Sequence, residues 1–82
     1  MTKYKLINAE KQEGIYYILT VEHIPGLVGK LFGEEPKEIK YYGNGTVWHQ
    51  MPLFKRCSTP MEGLLADYYT RVQYEEKQRS RE

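Results

Sequence analysis

The chain has 82 residues, a formal charge of +1 with the histidines neutral, one Cys, two His and eight Tyr. That length fits one small domain, near the size at which folding buries only ~60% of the unfolded surface, and leaves no room for a second domain or a large cleft. The balanced charge excludes nucleic-acid or membrane binding driven by overall charge, and the single Cys excludes a disulfide framework and fits a reducing, cytoplasmic setting.

Phe, Ile, Leu and Val together stand just above the ~20% below which disorder is the better expectation, and the tyrosines add bulk to that core. No segment approaches the ~20 apolar residues of a membrane span, and no apolar run follows Lys3 and Lys5, so neither insertion nor export is expected.

In chain order, KYKLINA and IYYILTVE alternate with period 2 and read as two strands around the polar turn EKQEG. The second strand divides into Ile15, Tyr17, Leu19 and Val21 on one side and Tyr16, Ile18, Thr20 and Glu22 on the other. IPGLVGKLFG reads as a short helix with Pro25 in its first turn, Gly33 at its C-terminal cap, and Ile24, Leu27, Val28, Leu31 and Phe32 along one side. EIKYY and TVWHQ follow as strands around Asn44-Gly45, a strong hairpin signal. A long helix closes the chain. Thr59 as N-cap, Pro60 at the first helical position and Glu62 three residues after Thr59 spell a capping box, and Met61, Leu64, Leu65, Tyr68, Tyr69 and Val72 form a buried stripe at helical spacing. The stripe ends before Glu75, so residues 75–82 are expected to leave the core as a polar, fraying end. The order β-β-α-β-β-(β)-α predicts an α+β fold: a small antiparallel sheet of four to five strands with both helices on one face.

A two-residue Asn44-Gly45 turn would oppose Tyr41 to Trp48 and Lys40 to His49, and a tight turn at Pro52-Leu53 would oppose His49 to Arg56 and Trp48 to Cys57. One face then carries Ile39, Tyr41, Trp48 and Cys57 beneath the helices. The other carries Lys40, His49 and Arg56 in a row across three strands, bordered by Tyr42, Val47, Met51 and Phe54 and extended by Tyr16 and Ile18.

Catalytic and metal chemistry find little to work with. Cys57 needs a base, yet this register points His49 to the opposite face, and His23 before Pro25 reads as a loop residue. One Cys and two scattered His without C-x-x-C or H-x-x-x-H spacing close no zinc site, and Gly29-Lys30 lacks the other residues of a phosphate loop, so no cofactor is expected. The leading expectation is a non-enzymatic protein-interaction domain that self-associates as a homo-oligomer or docks a protein partner through the open face. Binding of single-stranded nucleic acid or another polyanion comes second, with Tyr16, Tyr42 and Phe54 stacking and Lys40, His49 and Arg56 meeting phosphates. An enzyme comes third. The plain alternative to all three is a solvated sheet face.

Overall fold

A computed structural model of the chain describes residues 1–80. The elements run β1 (Lys3–Lys11), β2 (Tyr17–Ile24), α1 (Leu27–Leu31), β3 (Lys37–Gly43), β4 (Trp48–Gln50), β5 (Lys55–Arg56) and α2 (Thr59–Ser80). All five strands join one open antiparallel sheet in sequence order, so the α+β class and the order of elements are those read from the sequence.

Alternation along β2 decides which face is covered. Tyr17, Leu19 and Val21 are buried, and across the sheet Tyr41 and Trp48 join them. α2 lies over this face with Leu65 and Tyr68 buried and with Met61, Leu64, Tyr69 and Val72 packed against the same cluster, the whole of the predicted stripe. Tyr69 fastens the helix at the hairpin end. Its ring meets Tyr17 and Trp48 edge-on at 5.5 and 5.9 Å, and its hydroxyl donates to the Ile15 carbonyl at 2.9 Å. From Tyr74 to Ser80 the helix is exposed throughout; the rest of the predicted polar end, 81–82, lies outside the described residues.

The hairpin between β3 and β4 differs from its sequence reading by one step. Its turn centres on Gly45 and Thr46: the Asn44 N–H donates to the Val47 carbonyl at 3.4 Å, and the Asn44 side-chain oxygen accepts from Thr46 and Val47 N–H groups at 3.4 and 3.3 Å. Moving the turn by one residue moves every pairing by two, so Gly43 faces Trp48, Tyr42 faces His49 and Tyr41 faces Gln50. A slip of two keeps each side chain on its face. The physical reason for this register lies in Trp48, which is fully buried and lies directly over Gly43. A Cβ on residue 43 would overlap the Trp48 ring, so only glycine can stand opposite. The second turn keeps the predicted register, with His49 facing Arg56 and the Cys57 N–H donating to the Trp48 carbonyl at 3.0 Å.

Two further readings are corrected. α1 is capped as expected, with Gly33 N–H donating to the Lys30 carbonyl and Glu34 N–H to that of Gly29, the paired bonds of a Schellman motif. It buries none of its residues, however, and Leu27, Val28, Leu31 and Phe32 are exposed. The β2–β3 ladder closes at His23 and Lys37, so the connecting segment leaves the sheet at its end and a helix of five residues has no strand beneath it. At the start of α2, the Ser58 carbonyl accepts the first helical bond, from Glu62 N–H at 2.9 Å, which makes Ser58 the N-cap in place of Thr59. The Glu62 carboxylate does not return to the cap; it accepts from Trp48 N–H at 3.1 Å and Arg56 Nε at 3.4 Å. Beyond Arg56 the edge strand ends, and Glu62 supplies the acceptor that a longer β5 would have offered to Trp48.

Two outcomes follow from these contacts. Gly43→Ala should lose ~2 kcal/mol by overpacking and shift Trp48 fluorescence to the red, whereas an unchanged denaturation midpoint and spectrum would place Trp48 elsewhere. Glu62→Ala, which strands a half-buried N–H, should lose ~1–3 kcal/mol in urea denaturation, and Thr59→Ala less than ~0.5. The reverse ranking would restore the Thr59 capping box.

Candidate binding face

The sheet face opposite α2 collects the predicted residues, and its rows can be read from the pairings. One row crosses all five strands: Glu10, Ile18, Tyr42, His49 and Arg56. Tyr16, just ahead of β2, lies parallel to Tyr42 with ring centroids 5.1 Å apart and planes 6° from parallel. Phe54, in the turn before β5, meets Tyr42 at 6.0 Å and 76°. Together with Gly43, Asn44, Val47 and His49 these three rings line a shallow groove of about 300 Å³.

The predicted row Lys40, His49, Arg56 is not formed. With the turn at Gly45-Thr46, Tyr42 takes the place beside His49, and Lys40 falls one pair further along, level with Thr20, its carbonyl accepting from Met51 N–H at 2.8 Å. Arg56 does stand beside His49, but its side chain turns over the short edge strand to Glu62. Tyr16, Tyr42, Val47, His49 and Phe54 are therefore brought together at the groove. Ile18, Met51, Lys40 and Arg56 surround it. Glu10, read from the sequence as the first residue of the polar turn EKQEG, instead continues β1, which runs on to Lys11 and pairs Glu10 with Ile18; a bulge between Leu6 and Asn8 changes the alternation of β1 midway.

Phe54 has a backbone φ of 54°, in the left-handed region where a bulky residue is seldom found. Its ring is held at Tyr42 by that conformation, and the surrounding turn bears the strain.

A second groove, of about 460 Å³, lies on the helix side between the sheet and the start of α2, where His23, Tyr41 and Cys57 line it with Met61 and Arg56. Read as a loop residue, His23 instead lies within β2, one residue before its end and level with Tyr4 and Lys37, and its Nε2 lies 2.8 Å from the Tyr41 hydroxyl. The period-2 pattern running on past Val21 was the available signal. Burial, with the Lys37 charge, pushes the His23 pKa down. Burial pushes the Cys57 thiol up, helped by the Glu62 carboxylate. Burial likewise pushes Tyr41 up to about 12, with smaller contributions from Cys57 and Tyr4. Near neutral pH all three groups are held uncharged, so the groove offers hydrogen bonds and apolar contact rather than a thiolate paired with an imidazolium. Cys57 and His49 point to opposite faces, as the sequence implied. Among the described residues no group of three or more His, Cys, Asp and Glu is placed to hold a metal ion, and no helix is long and apolar enough to cross a membrane.

Comparison of the chain with family models, with curated proteins and with solved structures finds no match.

The buried titratable groups give stability a defined pH course. Tyr17 is pushed up to about 12 by burial and then by the Glu76 carboxylate, and Tyr41 to about 12 as well. Raised in the folded chain, both contribute stability that is intact below their ordinary value of 10.0 and lost as pH rises through about 12. His23 has the opposite sign: its contribution is present above 6.5 and lost as pH falls below that value. In a spectrophotometric titration Tyr17 and Tyr41 should ionise last and together with unfolding, and His23→Gln should flatten the acid limb of a stability–pH curve. Simultaneous ionisation of all tyrosines near pH ~10 without unfolding, or an acid limb untouched by His23→Gln, would contradict the burial described.

Proposed function

We propose that this chain is a small non-enzymatic protein-interaction domain that docks a protein, its own copy or another, through the open sheet face. The observation that carries the reading is the trio Tyr16, Tyr42 and Phe54, three rings gathered around one groove on a face that no helix covers. Tyr16 and Phe54 keep 38% and 55% of their surface in water, a cost that a docked partner would relieve. Tyrosines supply large contact area at low conformational cost, and interface centres are enriched in them.

Polyanion binding has weaker support. Tyr42 is already engaged by two neighbouring rings, which limits stacking of a base on it. Arg56 is turned to Glu62, Lys40 stands off the row, and Glu10, Glu22 and Glu38 share the face with its cations.

A photo-activated cross-linking amino acid at position 42 separates the readings. In cells that make the protein it should give a discrete protein adduct, while the same probe at Thr70, exposed on α2, should not. Equal adducts at both positions, or tight binding of the purified chain to oligothymidine at low salt, would contradict docking of a protein at this face.

A further inference from the structure

We infer that the partner of the open face is a second copy of this chain, seated about a two-fold axis that lies in the interface and runs along β3. The inference rests on the docking reading above and adds the identity of the occupant. The row Glu10, Ile18, Tyr42, His49, Arg56 begins with an acid on one sheet edge, ends with a base on the other, and has Tyr42 on the middle strand. Rotation by 180° about an axis along that strand reverses the row and turns it face down. Glu10 then meets Arg56 of the second copy at each end, Ile18 meets His49, and Tyr42 meets itself. The row is its own electrostatic complement, the property that an isologous interface requires.

Arg56 can take that role only from the rim, because its side chain turns over the edge to Glu62 and lines the helix-side groove. Its Nε is used by Glu62, but the guanidinium carries five N–H donors in a planar fork, and the side chain is 64% exposed. Glu10 is exposed, and its carboxylate accepts one long hydrogen bond among the described residues, from the Asn8 amide at 3.4 Å. Each Glu10–Arg56 pair occurs twice by symmetry, so two weak rim contacts act together.

The size of the face sets the strength. The strands shorten from nine and eight residues in β1 and β2 to three and two in β4 and β5, so at ~3.3 Å per residue and ~4.8 Å between strands the face covers roughly 450 Å², below what a stable interface offers per partner and in the range of a weak, transient one. A reversible dimer with a dissociation constant on the order of micromolar to tens of micromolar fits such a face. The axis also makes an unusual demand. Residues of β3 on the open face oppose their own copies, so Lys40, one pair below Tyr42, meets Lys40, and Glu38, one pair further, meets Glu38. Both contacts are repulsive, and removing the one at Lys40, nearer the centre of the face, should strengthen the dimer.

Sedimentation equilibrium of the full chain, from about 1 µM to 1 mM, tests this directly. The expected result is a reversible monomer–dimer equilibrium, weakened about tenfold by Glu10→Arg or by Arg56→Glu and returned to within about threefold by the two together. Tyr42→Asp should abolish the dimer and Lys40→Gln should tighten it. Because Arg56→Glu also opposes Glu62, each variant's fold is checked by circular dichroism; should that one fail to fold, Tyr42→Asp and Lys40→Gln, remote from Glu62, decide the matter alone. A strict monomer at 1 mM, a dimer indifferent to Tyr42→Asp, or one weakened by Lys40→Gln would overturn the inference. A strict monomer whose position-42 probe still captures another protein would overturn the second copy and leave docking at this face standing. A strict monomer with no adduct would remove both.

Discussion

Trp48 can lie beneath α2 only because Gly43, the residue across from it, has no side chain. The indole is fully buried, and its N–H finds no hydrogen-bond partner among the described residues, so shape rather than a polar contact holds it. With Trp48 over Gly43, the register of β3 against β4 is fixed, and with it which residues of β4 and β5 stand beside Tyr42 on the far side of the sheet. Tyr42 comes to stand beside His49 and within reach of Phe54, while its stack on Tyr16 follows from the pairing of β2 with β3. A steric constraint on the buried face thus composes the open one.

The same residue organises the sheet edge. Trp48 carries its own N–H out to a strand too short to bond it, and Glu62 from the first turn of α2 fills that place. In doing so it draws Arg56 over the edge. One carboxylate therefore joins helix, inner strand and edge strand, and it holds the Arg56 charge at the rim of the open face, out of the row across three strands that the sequence alone would put there. What remains exposed is a set of aromatic rings flanked by charges of both signs, which is why a protein surface, and a self-complementary one in particular, is the partner proposed.

The sequence made the faces legible and left their detailed neighbours hidden. Period-2 alternation in β2 and β3 assigns Tyr17, Leu19, Val21 and Tyr41 to the core, and a slip of two residues does not disturb that assignment. The helical stripe of α2 was readable for the same reason. Pairing across the turn was not, because Asn44-Gly45 is a strong local signal and the fit of an indole on Gly43 is a non-local one. Glu62 has a similar history: its spacing from Thr59 matches a capping box, but an unpaired N–H on another strand competes for the carboxylate and wins. The exposure of α1 was hidden because an apolar stripe records what a helix could bury, not whether the chain has a surface to offer it.

The register at Gly43 and Trp48 is therefore the point on which the core, the edge and the proposed docking face all depend. It can be observed in a single experiment on the folded chain. The Trp48 carbonyl bonds outward to Cys57, so the residue opposite Trp48 on β3 belongs to a non-hydrogen-bonded pair, whose α-protons approach closely. A nuclear Overhauser spectrum should show the Trp48 α-proton in contact with those of Gly43, and the Gln50 α-proton with that of Tyr41. A Tyr42–Val47 and a Lys40–His49 α-proton contact in their place would mean a turn at Asn44-Gly45, would return Lys40 to the side of His49, and would contradict this account of the open face.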